Sequence, residues 1–408
     1  MKISKKSRVV IYGLGYIGLP SAVFMAENGY NVTGVDINSE VVNNFNNGKI
    51  NFYEPLLDQM LLKNLEKKKL TAKTEVTPGD VYIIVVPTPF KENYQPDIKY
   101  IYQVIDSIVN LLKENDLIII ESTSPVGTSE KMYNHIIQKR KNLNGKIQLA
   151  YCPERVIPGN IIYELKNNDR VIGGIDEKST LSAGQFYKSF VDGSIHLTDA
   201  KTAEMCKLVE NASRDNQIAF ANEISIISSK AGIDPWELIS LANKHPRVNI
   251  LNPSCGVGGH CIAVDPYFIS SQFPGESNII SASRKTNNYK SFWCFEKISK
   301  SINKFINDNG KKPKVSLMGI TYKPNVDDMR ESPALYILDK LIENHSSIDF
   351  MVVEPNIKEH NNYNLVEYSH ACENSDIICF LVNHREFSSF ISNDLLIVHD
   401  FCGVLKNK

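Results

Sequence analysis

The chain has 408 residues, 42% hydrophobic and 22% charged, with a formal net charge of −1. That composition is globular and excludes a disordered or low-complexity chain, the length predicts two or three domains, and the balanced charge removes the electrostatic case for a nucleic-acid or acidic-membrane partner. Eight cysteines without a CxxC or paired short spacings predict reduced thiols, not a disulfide framework. The longest apolar run, Val81 to Pro87, is far short of the roughly 20 residues of a membrane span. With no secretory signal in the N-terminal segment, a cytoplasmic protein with no membrane partner is expected.

In chain order, Arg8 to Tyr12 reads as a β-branched strand, followed at once by Gly13-Leu-Gly15-Tyr16-Ile17-Gly18 and a helical stretch from Leu19 to Asn28. Val32 to Val35 forms a second strand ending in Asp36, about 20 residues past the glycines, as a dinucleotide fingerprint requires. The roles are separable. Gly13 makes the turn, Gly15 admits a pyrophosphate, Gly18 permits close helix packing, and Asp36 accepts hydrogen bonds from a ribose while repelling a 2′-phosphate. NAD is therefore the expected cofactor. Strands at Val81 to Val86 and Leu117 to Ile120 end in polar turns that put forward Thr88 and Thr123 as cofactor contacts or plain turn residues. Gln148 to Cys152 leads into Glu154 and Arg155, either substrate-handling groups or a surface ion pair.

From Asp199 to about Ala231 no proline or glycine interrupts the chain, which predicts a helix of roughly 45 Å, a connector and dimer-forming element. Lys207 and Asn211 share one of its faces, with Arg214 further along. Beyond it, Cys255-Gly-Val-Gly258-Gly-His-Cys261-Ile-Ala-Val-Asp265 sets a thiol behind a glycine turn with a carboxylate four residues later. At an ordinary pKa of roughly 8.5 a thiol is only a few per cent ionised at neutral pH, so a nucleophilic Cys261 needs cationic or hydrogen-bonding neighbours. Lys207 and Asn211 are the candidates, a solvated polar stripe being the plainer reading. The C-terminal third repeats the alternation, with strands from Lys314 to Met318, Phe350 to Val353, Ile377 to Val382 and Leu395 to Val398 and a helix from Pro333 to Ile342. This predicts a second parallel sheet. Lys323 and Arg330 are its candidate phosphate ligands.

With these residues in place the chain resembles the UDP-glucose/GDP-mannose dehydrogenase family over essentially its whole length. The glycine fingerprint, Val-Pro-Thr-Pro, Glu-Ser-Thr, Cys-Pro-Glu-Arg, the lysine/asparagine helix, Gly-Gly-x-Cys with Asp four later, and Tyr-Lys-Pro before Arg-Glu-Ser-Pro come in family order. Its motifs are most similar to those of members that oxidise UDP-N-acetyl-D-mannosamine, with UDP-N-acetylglucosamine oxidisers as near neighbours. The resemblance implies two Rossmann-like parallel-sheet domains joined by a long central helix and a helical dimerisation region. The implied division is 1–198 for NAD, 199–300 for dimerisation and the catalytic cysteine, and 301–408 for the UDP-sugar.

It implies a four-electron oxidation at sugar C6 using NAD twice, serving surface polysaccharide synthesis. Cys261 would capture the aldehyde as a thiohemiacetal, and its second oxidation would give a thioester for water to open. Lys207 and Asn211 would stabilise the oxyanion, while Glu154 and Asp265 manage water and protons. Cofactor contacts would fall to Gly13, Gly15, Tyr16, Ile17, Gly18, Asp36, Thr88, Thr123 and Arg330. Substrate contacts would fall to Arg155, Val156, Lys207, Asn211, Arg214, His245, Arg247, Gly258, Tyr322 and Lys323. Arg247 would reach in from the partner of a homodimer. One position departs from the pattern: Cys402 stands where relatives carry a basic residue, so Lys406 substitutes for it, or substrate affinity is reduced, or the sugar differs. Three rival readings remain: a two-electron alcohol dehydrogenase with a structural Cys261, a metal site at Cys255, His260 and Cys261, and a nucleotide-sugar sensor without turnover.

Overall fold

The computed structural model describes residues 4–91, 94–157, 159–391 and 395–405. They form two compact units, divided between Val209 and Glu210.

The first unit is built on an eight-stranded sheet: β1 (Arg8–Tyr12), β2 (Asn31–Val35), β3 (Leu70–Lys73), β4 (Val81–Ile84), β5 (Leu117–Ile120), β6 (Gln148–Tyr151), β7 (Arg170–Gly174) and β8 (Ile195–Asp199). Their order is β3-β2-β1-β4-β5-β6-β7-β8. The central strands β1, β4 and β5 are apolar on both faces because both faces are covered; every residue of β4 and β5 is buried. The chain leaves β1 for β2 on one side and returns to β4 on the other, so the order reverses between β1 and β4, where an open α/β sheet places its ligand crevice. The sheet departs from a purely parallel one at β7, which runs antiparallel to β6, while β8 pairs parallel with β7.

The second unit carries a four-stranded, all-parallel sheet of β9 (Lys314–Met318), β10 (Asp349–Val353), β11 (Ile377–Phe380) and β12 (Ile397–Asp400), in the order β10-β9-β11-β12. Two helices of 32 residues complete the frame: the central helix Ala200–Ala231, which runs unbroken through the boundary between the units, and the helix Asn278–Asn309. Within the second unit a buried polar network ties the two together. Arg284 donates to Asp215 at 2.6 Å, Asn287 to Asp215 at 2.7 Å, Asn222 to Asn287 at 2.9 Å and Lys290 to Ser225 at 2.6 Å. Buried polar groups of this kind fix one register between two helices, because any slip would strand them. Among the described residues no helix is long and apolar enough to cross a membrane.

Candidate active site

The glycine turn after β1 has the shape of a dinucleotide cradle. Gly13 sits at φ +97°, and a Cβ there would lie 2.2 Å from the Val85 carbonyl oxygen; one on Gly18 would lie 1.9 Å from the Gly13 carbonyl oxygen. Both positions therefore exclude a side chain for the fold's own sake. At Gly15 a Cβ would meet nothing within 4 Å, so its missing side chain leaves open space, which is what a phosphate needs at the start of the helix Gly18–Glu27. Tyr16 is partly exposed and stacks on Phe52, and Ile17 is the residue before the helix. The Asp36 carboxylate accepts from the Leu14 and Asn38 amides, both at 2.9 Å, and is thereby fixed beside the turn. Half-buried Thr88 and Thr123 follow β4 and β5. The Ser122 hydroxyl binds both the amide and the carbonyl of Val86 at 2.8 Å, holding those two strand ends together. These residues fit NAD.

Glu154 follows β6 and is buried; its carboxylate accepts from Arg170 at 2.6 Å and from the Arg155 amide at 2.7 Å. Arg155 turns its own guanidinium to the Asp169 carbonyl, and half-buried Val156 packs on the core. Lys207 is half-buried on the central helix. Three residues earlier the buried Glu204 carboxylate takes the Gly127 amide and the amide and hydroxyl of Ser129, which pins that helix to the start of the helix Thr128–Lys139.

In the second unit Asn211 donates through its side-chain amide to the Asp265 carboxylate. Asp265 is buried and opens the helix Asp265–Gln272, and the Cys261 carbonyl accepts the amides of Asp265 at 2.8 Å and Val264 at 3.0 Å. Half-buried Cys261 thus sits one turn before a helix N-terminus, whose dipole favours negative charge. The glycines ahead of it permit close approach of the chain itself. A Cβ at Gly258 would lie 2.4 Å from the Glu331 carbonyl oxygen, and one at Gly259, φ +79°, 2.8 Å from the Tyr322 ring. The Gly259 amide donates to the Arg330 carbonyl at 3.0 Å.

The structure therefore brings Cys261, Asp265 and Asn211 together and builds the thiol turn directly on the Tyr322 and Arg330 loop. The exposed Arg330 guanidinium is forked onto Asp328 and lies within electrostatic reach of Cys261. Lys323 lies beside the Tyr322 ring. Arg214 is exposed, as are His245 and Arg247, which ride a loop stapled by Asn243 to both backbone groups of Ile250. Cys255 points away from this chemistry: it is buried in the core, its thiol donates to the Leu381 carbonyl at 3.3 Å, and burial pushes its pKa up. None of the eight cysteines, all of them among the described residues, forms a disulfide. Burial and the Asp400 carboxylate push the Cys402 thiol well above its ordinary range, so it is neutral. Lys406 lies outside the described residues. Two participants escape a sequence reading: Arg170, clamped on Glu154, and Asn222, whose side-chain oxygen accepts the Ser254 amide at 2.8 Å and so holds the start of the thiol turn.

Profiles of the UDP-glucose/GDP-mannose dehydrogenase family match three segments, described as its NAD binding domain over residues 7–191, its central domain over 201–289 and its UDP binding domain over 316–406. The chain belongs to this family. It is an NAD-dependent oxidoreductase of nucleotide sugars. A UDP-N-acetyl-D-mannosamine dehydrogenase of Campylobacter jejuni is 45% identical, with 97% of this chain and 99% of that protein covered. An NDP-N-acetyl-D-galactosaminuronic acid dehydrogenase of Ralstonia nicotianae is 42% identical, with 93% and 91% covered. Among solved structures, a UDP-D-ManNAc dehydrogenase from Pyrococcus horikoshii matches with a TM-score of 0.88 at 36% identity, covering 98% of this chain and 96% of that one.

Proposed function

We propose that this enzyme oxidises UDP-N-acetyl-D-mannosamine at C6 to the uronic acid in two steps, through a covalent Cys261 intermediate. The observation that carries the reading is the cluster in which Asn211 holds a buried Asp265 whose amide, in turn, locks the carbonyl of Cys261. A binding protein has no use for a cysteine whose backbone is locked next to an amide donor and a buried carboxylate. NAD, when bound at the glycine turn, accepts the hydrides. The chain's own groups do the rest. Lys207 and Asn211 stabilise negative charge on the C6 oxygen, each donor being worth roughly 3 to 4 kcal/mol. The C6 alcohol gives up a first hydride while its hydroxyl proton passes to a carboxylate, Glu154 or Asp265, leaving an aldehyde. The Cys261 thiolate adds to the aldehyde carbon, and the resulting alkoxide loses a second hydride from C6, leaving a thioester. Water then bonds to the thioester carbon, its proton passes to a carboxylate, Glu154 or Asp265, and the carbon–sulfur bond breaks to return the thiolate.

Arg155, Val156, Arg214, His245, Arg247, Gly258, Tyr322 and Lys323 contact the sugar nucleotide in this reading, and Arg330 the cofactor. Arg247 acts on the partner's substrate in a homodimer. A dimer is supported by the large apolar side chains left exposed on the central helix and its neighbours: Phe220, Ile227, Leu241, Tyr289 and Phe292. Singly exposed apolar residues are ordinary, but five of them on the helices Ala200–Ala231, Pro235–Ala242 and Asn278–Asn309 favour a covered face. Three domains, 1–198, 199–300 and 301–408, divide this work among NAD, dimer contact with catalysis, and the UDP moiety. The product is an acidic building block for a surface polysaccharide such as a capsule, and the enzyme works in the cytoplasm.

The choice of UDP-N-acetyl-D-mannosamine over UDP-N-acetylglucosamine, its C2 epimer, and UDP-N-acetylgalactosamine, which differs at both C2 and C4, rests on the motif likeness and the relatives. A panel of UDP-N-acetyl-D-mannosamine, UDP-N-acetylglucosamine, UDP-N-acetylgalactosamine and UDP-glucose, with the acid product identified by mass spectrometry, tests it. The highest kcat/KM is expected for the first; a preference for UDP-N-acetylglucosamine would move the assignment to that sugar.

A further inference from the structure

Three strand ends of the second sheet meet at a buried histidine that the reaction scheme leaves unused. Thr321 follows β9, Glu354 follows β10 and His384 follows β11, and all three are buried. The carboxyl ends of parallel strands are where such a sheet receives its ligand. His384 itself is fully buried and divides its two ring nitrogens between different partners. Nδ1 lies 3.0 Å from the Asn325 amide nitrogen and 2.9 Å from the Asn356 side-chain nitrogen. A backbone amide can only donate, so Nδ1 is the accepting nitrogen and the ring hydrogen sits on Nε2. There it faces the Glu354 carboxylate at 3.1 Å and the Thr321 hydroxyl at 3.3 Å. Glu354 is fixed in turn: one oxygen accepts the Ile320 and Thr321 amides at 2.8 and 3.1 Å, the other the Asn356 amide at 3.0 Å.

These bonds bracket Lys323. On one side the Thr321 hydroxyl donates to the Lys323 carbonyl at 3.1 Å; on the other, two residues on, the Asn325 amide ends on the His384 ring. Asn325 takes φ +59°, a conformation asparagine tolerates better than most residues. Its side-chain oxygen accepts the Arg385 amide at 3.1 Å, a second tie to the segment that carries His384. Tyr322 is held by other means: its amide donates to the Asp328 carbonyl at 3.0 Å, and its ring lies against Gly259. The histidine thus governs the Lys323 side of the loop, while the thiol turn rests on the Tyr322 and Arg330 side.

We infer that His384, with Thr321, is a positioning residue that holds the backbone of Lys323 so that its ammonium group meets the phosphates of the sugar nucleotide. The inference rests on the assignment of Lys323 to the sugar nucleotide made above. A lysine is a point charge on a flexible stem, and anchoring its backbone on both sides lowers the ordering cost that binding would otherwise carry. His384 touches no substrate and acts only through the loop.

UDP alone, titrated calorimetrically into the full chain, tests it. His384→Gln reaches the place of Nε2 and loses the acceptor for Asn325; His384→Asn is too short for Glu354 but keeps an acceptor near the place of Nδ1. With Lys323 present, His384→Gln weakens UDP binding by about fivefold to tenfold, the worth of one hydrogen bond, and His384→Asn by less than half as much. In a Lys323→Ala background neither changes UDP affinity by more than about twofold, because the group they position is gone. The KM for the UDP-sugar follows the UDP affinity, kcat falls less than about threefold, and NAD affinity stays within about twofold.

Unchanged UDP affinity in folded His384→Gln, a loss equal with and without Lys323, or a His384→Asn as weak as His384→Gln overturns the inference. If His384→Gln does not fold, Thr321→Val, which lets go of the Lys323 carbonyl, is judged by the same comparison with Lys323→Ala. A Lys323→Ala chain that binds UDP as the wild type does removes Lys323 from the sugar-nucleotide site, and the inference falls with that assignment. A Lys323→Ala chain that binds UDP weakly, beside His384 variants that bind it normally, leaves the assignment standing and sinks the inference alone.

Discussion

Asn211 and Asn222 stand on one face of the central helix, three helical turns apart, and between them hold both ends of the segment that carries Cys261. Asn222 accepts the Ser254 amide at its start, and Asn211 donates to Asp265 at its end. A rigid helix thereby fixes the position of a glycine-rich turn that has little side-chain packing of its own.

The two asparagines separate chemistry from scaffolding. Asn211→Ala, by removing a donor to the developing oxyanion, lowers kcat by about 10²- to 10³-fold, and by taking a donor from the buried Asp265 carboxylate it also costs about 1 to 3 kcal/mol of stability. Asn222→Ala empties a buried polar position and costs about 1 to 3 kcal/mol of stability, with the smaller loss in kcat. Steady-state kinetics and thermal denaturation on both variants check the contrast.

Gly15 and Gly18 also part company. Gly18→Ala drives a methyl into the Gly13 carbonyl and lowers stability by several kcal/mol, because backbone has nowhere to move in a close-packed turn. Gly15→Ala meets open space, so the melting temperature stays within about 1 °C of wild type apart from NAD effects, while NAD affinity falls by about tenfold or more. Titration of NAD by intrinsic fluorescence, beside the melting curve, reads both.

His399 gives the second unit a pH dependence of its own. Burial, with Lys297 assisting, pulls it down to about 4, and its ring nitrogen is bonded to the Ser301 hydroxyl at 2.8 Å. The unfolded chain takes up that proton near pH 6.5, so the stability is present above about 6.5 and lost as pH falls toward 4, a change on the order of 2 to 3 kcal/mol. His399→Gln flattens the denaturation midpoint across this window; a wild-type midpoint that does not change there refutes the assignment.

If Arg247 serves the partner's substrate, two inactive variants rescue each other. Arg247→Ala and Cys261→Ser homodimers, mixed and exchanged, form heterodimers with one intact site, and activity returns to at most roughly half of the wild-type value per heterodimer. No recovery after subunit exchange verified by mass spectrometry places Arg247 on its own chain's site.

The strands covered on both faces are legible from sequence because a short, unbroken apolar run bounded by turn residues fits a buried strand and is too short for a buried helix: β1, β5 and β9 fall where Arg8 to Tyr12, Leu117 to Ile120 and Lys314 to Met318 predict. β3, β7 and β8 are not, since Leu70–Lys73 and Ile195–Asp199 are polar edge-side segments and Arg170–Gly174 is a short glycine-ended segment whose residues carry no signal of its antiparallel pairing with the strand before it. The helix Asn278–Asn309 is polar along most of its length; its signal is the absence of proline and glycine together with buried Cys294, Ile298 and Ile302 at spacings of four. In the site, Cys261, Asp265 and Asn211 follow from spacing and family likeness. The clamp of Arg170 on Glu154 does not, because the two meet only through strand register.

The measurement that bears most directly on the covalent scheme is the number of NADH formed per UDP-sugar consumed, taken to completion for wild type and Cys261→Ser. Two NADH and a uronic acid from the wild type, with acid formation abolished in Cys261→Ser while NAD and sugar still bind, is the expected result. One NADH and an aldehyde from the wild type, or undiminished acid from Cys261→Ser, contradicts it.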